Sequence, residues 1–230
     1  MPASIPPVAD GVIMRPDTPL AGQSLLYLAQ WLSPAYPLGS FAWSQGLEQA
    51  VADGALRTRG DLRDWCDAWL AWGPGRTEAI LLAAAIRGED PRALSELALA
   101  LAPSAERRAE TLEQGTAFAR TTAAIHGLDL GPAALPVAVG QAARAMDLPA
   151  EPALLLYLQA MLSALIQAAQ RLMPLGQTEA QELLARLGED LPGIAQPLLA
   201  LGPDDIGGFA PWLDAASMRH ERLEPRLFRS

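Results

Sequence analysis

Along the chain, apolar positions recur at spacings of three and four, and prolines and glycines fall between the runs. This is the pattern of amphipathic helices joined by turns. A first helix is predicted over 20–32, ended by Ser33-Pro34 because a residue before proline avoids helical backbone. A Pro/Gly loop over 33–39 comes next, then a second helix over 40–53 with Gly54 as its stop. Thr58 with Asp61 forms a cap and an acidic first turn for a helix to Trp72. Further helices are predicted over 76–87, from Asp90-Pro91, from Ser104 to His126, and from Gly131-Pro132 with a kink at Pro136.

The segment 153–173 carries a single charge, Arg171, and a broad apolar face. Gln159, Ser163, Gln167 and Gln170 form one uncharged polar stripe along it. Its length suits a membrane span, but the glutamines and the preceding Pro149 and Pro152 fit a central bundle helix better. An uncharged second face is also what a helix presents to another subunit, which makes Gln159, Ser163 and Gln167 candidate dimer contacts. Thr178 and Gln181 form a capping-box pattern for a helix over 179–187, and Pro192 and Pro197 break up the stretch beyond it. A loose turn over 203–205 and a helix over 211–221 complete the chain, and no repeat of solenoid length is visible. The expectation is an all-α, single-domain bundle of roughly nine or ten helices. It spans 20–222, after a flexible Pro-rich arm over 1–19 and before a tail over 223–230.

Composition agrees: half of the 230 residues are hydrophobic, Ala and Leu recur, and β-branched residues are scarce. The net charge of −9 disfavours nucleic acid and anionic lipid as partners. That charge is uneven. The last twelve residues hold four arginines against two glutamates, so the rest of the chain stands at −11. Cys66 is the only cysteine, which excludes an intrachain disulfide and suits a reducing cytoplasm. Residues 1–20 lack the apolar core of a signal peptide.

Candidate chemistry is sparse. His126 and His220 are far apart and, with one cysteine, make no transition-metal ligand motif. They are read as a helix-end and a solvated histidine, and no metal site is expected. Cys66, between Trp65 and Asp67, is read as a small core residue rather than a nucleophile. No phosphate-binding G-x-x-x-x-G-K-[ST] loop occurs, and Gly207-Gly208 lacks the strand of a dinucleotide fingerprint. No catalytic residue is therefore assigned. Glu48 is either a first-half helix acid favoured by the dipole or a functional carboxylate. Trp65, Trp69 and Trp72 share one helix face and are read as core, with a protein-binding surface as the alternative. The end of the chain, from Arg219 to Ser230, mixes basic with apolar residues. It suits either folding onto a partner or docking onto its own domain.

Three stretches together carry a resemblance. The run Leu-Ser-Pro-Ala-Tyr-Pro-Leu-Gly-Ser-Phe-Ala-Trp-Ser-Gln-Gly-Leu-Glu over 32–48 is similar to the N-terminal signature of the urease accessory protein F (UreF) family. Gln-Arg-Leu-Met-Pro-Leu-Gly-Gln-Thr over 170–178 resembles its mid-chain motif, and 216–221 with Arg-Leu-Phe-Arg-Ser over 226–230 resembles its C-terminal end. The resemblance covers about 20–230. It implies an all-α, dimeric, non-enzymatic cytoplasmic protein that joins UreD/UreH and the GTPase UreG to apo-urease. Nickel would be handled by that assembly, with no cofactor held stably by this chain. By position the resemblance marks Arg226, linked to GTPase recruitment, and the aromatic Phe41; with them Trp43, Glu48, Arg219, His220, Leu227, Phe228 and Arg229 are expected to bind partners. Two departures stand out: Ser-Phe-Ala-Trp where the family often has Gly-Phe-Ser-Tyr, and Glu224-Pro225 where it often has Tyr-Ser.

Overall fold

A computed structural model describes residues 22–230, all of them helix, turn or loop. Ten α-helices succeed one another among these residues: α1 (Gly22–Trp31), α2 (Leu47–Ala52), α3 (Arg59–Ala71), α4 (Pro74–Arg87) and α5 (Pro91–Ala100), then α6 (Ala105–His126), α7 (Leu135–Ala145), α8 (Ala150–Leu172), α9 (Gln177–Leu198) and α10 (Pro211–His220). Single 3-10 turns form at Ser40–Ala42 and Pro203–Asp205. The all-α, single-domain expectation is met; the N-terminal arm over 1–19 lies outside the described residues.

Local chemistry sets most boundaries. Thr58 accepts from the Asp61 N–H while the Asp61 carboxylate accepts from the Thr58 N–H, a reciprocal cap that opens α3. Asp90 and Ser104 cap α5 and α6 in one direction only, their side chains accepting from the Arg92 and Arg107 N–H groups. Left-handed Gly88 and Gly127 close α4 and α6.

Four boundaries differ from the sequence pattern. The helix expected over 40–53 is split, because Gln45 and Gly46 both take positive φ and redirect the chain before α2. Pro136 does not kink a helix begun at Gly131; α7 starts at Leu135, and Pro136 sits in its first turn where its missing N–H costs nothing. The Thr178/Gln181 box is not used: Gly176 is the N-cap, and Glu179 accepts its N–H at 3.1 Å. Finally, α9 runs through Pro192 and Pro197. Both prolines are exposed, so the carbonyls they orphan meet water, and the buried stripe of Leu183, Leu187, Leu191, Ala195 and Leu198 keeps the helix on α8.

α8 is the central column. It packs against α9 along its length and also touches α1, α2, α3, α4 and α7. It is the one described helix long and apolar enough to cross a membrane, and just over half of that stretch is buried inside the bundle. The second tight layer is α4–α7–α6. Gly140 lets α7 approach so closely that a Cβ there would stand 2.7 Å from the Leu82 carbonyl oxygen. Cys66 is fully buried and its thiol is pushed up to about 12, mainly by burial, consistent with a core residue. Trp65 and Trp69 are core, but Trp72 is 60 % exposed and departs from the shared-face reading, because the helix ends at Ala71.

Candidate functional site

Residues 221–230 fold back across the body as a strap, so the tail docks on its own domain. Glu48 anchors it. The carboxylate sits in the first turn of α2, and the Leu227 and Phe228 N–H groups donate to its two oxygens at 2.6 and 2.9 Å. Two further main-chain bonds fasten the end of the strap to the 3-10 turn: Arg229 N–H to Ala42 O at 2.8 Å and Ser44 N–H to Ser230 O at 2.6 Å. The Ser44 hydroxyl also donates to the Ser230 carbonyl. Gly46 makes this geometry possible. Its φ is +84°, and a Cβ there would lie 2.8 Å from the Ser217 nitrogen of α10.

His220 lies beneath the strap and is fully buried, which overturns its reading as a solvated histidine. Its burial stems from position: Leu213, Ala216, Ser217 and His220 share one inward face of α10. Each ring nitrogen faces a carboxylate, Nδ1 at 2.7 Å from Glu106 and Nε2 at 3.0 Å from Glu48. Both nitrogens donate at once only in the imidazolium form. The carboxylates lie on opposite sides of the ring, so the three groups do not converge on a point, and no cluster of three or more His, Cys, Asp or Glu able to hold a metal occurs among the described residues. Burial alone would raise the Glu48 carboxyl, but the hydrogen bonds from His220, Leu227 and Phe228 outweigh it and hold the group below the ordinary glutamate value.

From Leu227 to Ser230 the strap's side chains alternate between exposed and buried. Phe228 is buried, with the Arg171 guanidinium stacked on its ring at 4.2 Å, while Leu227 is exposed. Arg226 donates to Glu106 at 2.5 Å. Arg229 makes a two-pronged pair with Glu113, at 2.7 and 2.9 Å, over the ring of buried Trp43 at 4.2 Å. Phe41 projects from the 3-10 turn, 79 % exposed, beside Arg171, which donates to its carbonyl. Gln167 of α8 joins Phe41, Trp43, Arg171 and Phe228 around one cleft of about 160 Å³. Gln159 and Ser163 continue up the same helix, half-buried. Arg219 stands apart, paired with Asp53 at 2.6 Å.

Sequence patterns missed a second polar centre deeper in the bundle. Arg107 lies between Glu78, at 2.9 Å, and Glu110, and all three are nearly inaccessible. The Tyr157 hydroxyl of α8 donates to Glu78 at 2.9 Å. Burial pushes the Glu78 carboxyl and the Tyr157 hydroxyl up. Glu110 also accepts from Gln45, Gln114 and the Ser230 hydroxyl at 3.2–3.3 Å, so the strap's last residue closes this network. A signal existed: Arg107, Glu110, Gln114, Phe118 and Thr122 share one inward stripe of α6.

Fold and site define an all-α protein whose buried carboxylates are engaged in fixing its own C-terminal strap onto the body. Comparison with known proteins gives the family. The UreF family model matches residues 56–188, from the loop before α3 into α9. The urease accessory protein UreF of Cereibacter sphaeroides strain KD131 is 52 % identical over 207 residues, covering 90 % of this chain and 99 % of that protein. Proteins of the same name from Paracoccus denitrificans and Roseobacter denitrificans are 49 % and 42 % identical, over 89 % and 92 % of this chain and 95 % and 96 % of theirs. The chain belongs to the UreF family of urease accessory proteins.

Proposed function

We propose that this chain is a non-catalytic scaffold of urease maturation. It joins a UreD/UreH-type protein and the GTPase UreG to apo-urease so that nickel, the cargo, is inserted by the assembly. It does so in the cytoplasm, as a dimer through the Gln159, Ser163 and Gln167 face of α8.

The observation that carries this reading is the docked strap. Glu48, His220 and Phe228 are hidden beneath it, while Leu227, Arg226, Arg229 and the neighbouring Phe41 face outward beside the α8 cleft. A contiguous apolar and basic patch, held by a rigid internal network, is suited to recruiting a protein at low ordering cost. The rival reading, an enzyme using Glu48 as an acid or base, is weakened because both Glu48 oxygens are already occupied by main-chain and imidazole nitrogens. If the GTPase responds to this protein, a shift between its nucleotide states is favoured over an inserted arginine. Arg226 and Arg229 are both tied to glutamates of α6.

The test is urease activity and nickel content in cells that make apo-urease and the other accessory proteins. The expected result is activation by the full chain and little or none by a chain lacking residues 223–230. Full activation by the shortened chain would refute the strap's role.

A further inference from the structure

A cavity of about 290 Å³ lies where the end of α5, the start of α10 and the loop between Asp205 and α10 meet the faces of α4 and α6. No strap residue lines it, and the scaffold reading leaves it unused. The loop is drawn close: a Cβ on Gly208 would collide with the Trp72 carbonyl oxygen, and Arg76 donates to the Gly207 carbonyl at 3.3 Å. The lining has two zones. Leu81 and Ile206 belong to its apolar walls, with the exposed side chains of Trp72 and Leu101 at the mouth. The charged groups are Glu78 and Arg107 of the buried network and Asp214 of α10.

Carboxylates outnumber cations there. Arg107 is the only cation lining the cavity, and Glu78 and Glu110 already share it. Arg76, beside the loop, is spent on a carbonyl. Asp214 makes no hydrogen bond or ion pair among the described residues. An acid in the first turn of a helix can cap it, but α10 has no side-chain cap bond. Asp214 is half-buried, and burial alone pushes its carboxyl above the ordinary aspartate value. It bears a desolvation cost that no group of the described chain offsets.

A cation with hydrogens to donate would offset it. A metal ion fits poorly, because no three His, Cys, Asp or Glu converge among the described residues. An anion meets an excess of negative charge. A primary ammonium suits both zones: its head donates to Asp214, and its stem lies along Leu81 and Ile206 toward the Trp72 ring, whose face also attracts cations. We infer that the cavity among α4, α5, α6 and α10 is a binding site for a primary ammonium on an apolar stem, with Asp214 as its counter-ion. A free alkylamine and a lysine of a partner protein present this same chemistry, and the experiment separates them. The strap takes no part in it, so this inference stands or falls apart from the scaffold reading.

The experiment titrates the purified full chain at neutral pH with n-butylammonium chloride and follows its amide resonances. The expected result is saturable shifts around Trp72, Gly207 and Gly208, with a midpoint of about a millimolar. The uncharged n-butanol should bind about tenfold more weakly, and Asp214→Asn should bring the ammonium to the alcohol's level. Asp214 has no partner to lose, so Asp214→Asn should not lower the thermal midpoint. A capped tripeptide with lysine between leucine and phenylalanine separates the sources. Binding about tenfold tighter than the free amine assigns the ammonium to a partner's lysine held across the apolar mouth; equal or weaker binding assigns it to a free amine. No saturable shift, shifts away from the cavity, equal binding of the alcohol, an affinity indifferent to Asp214→Asn, or a lowered midpoint in that variant would each overturn the proposal.

Discussion

At Glu48 three donors meet one carboxylate: two successive strap N–H groups and a buried imidazole. Hydrogen bonds to a charged acceptor are each worth about 1.5–3 kcal/mol, so a Glu48→Ala variant loses the strap before it loses the fold. Hydrogen exchange should show the Leu227 and Phe228 amides protected in the parent and open in the variant, with helix content unchanged. The depressed carboxyl sets the sign of the pH dependence. Glu48 contributes its full stabilisation above the ordinary glutamate value and loses it as pH falls through the lower folded value. Strap protection should therefore hold at neutral pH and fail only in acid, and Glu48→Gln should remove that acid step. Arg107 makes the contrasting case. It is buried between two glutamates, and Arg107→Leu leaves them uncompensated, so chemical denaturation should report a loss of about 3–5 kcal/mol. Neither role was read from the sequence. Glu48, Glu106 and His220 lie up to 172 positions apart, and the spacing of Arg107, Glu110 and Gln114 along α6 names no partner until Glu78 of α4 and Tyr157 of α8 are packed together.

Elements were far more legible than their contacts. Side-chain caps at Thr58, Asp90 and Ser104, and the glycine stop at Gly127, act within four residues of themselves, so the chain announces them. The misreadings arose where tertiary packing outweighed local preference, as in α9, which persists through two prolines because its leucine stripe stays on α8. Gly193 is exposed in this helix with open space around its missing Cβ, so Gly193→Ala should stabilise the protein by about 0.5–1 kcal/mol in a denaturant titration. Gly46→Ala should do the reverse. Its left-handed backbone and contact with α10 make a loss of at least about 1–2 kcal/mol the expected result, with the strap loosened as well.

Across the whole molecule, the bundle holds a C-terminal strap in place and presents it beside the open end of α8. The same helix carries Tyr157 into the Arg107 network and Gln167 into the cleft under Phe41. The strap's exposed half was legible as a mixed basic and apolar tail; its anchors were not, because they become anchors only when α2, α6 and α10 converge. The central claim is that this docked surface does the recruiting. It is tested most directly by co-purifying the three accessory proteins with an Arg226→Ala, Leu227→Ala double variant. Arg226 also pairs with Glu106, so unchanged helix content and a still-protected Phe228 amide are the control that the strap stays docked, and the expected result is a complex that has lost the GTPase. Recovery of the complete assembly, GTPase included, at the parent's yield would contradict the account.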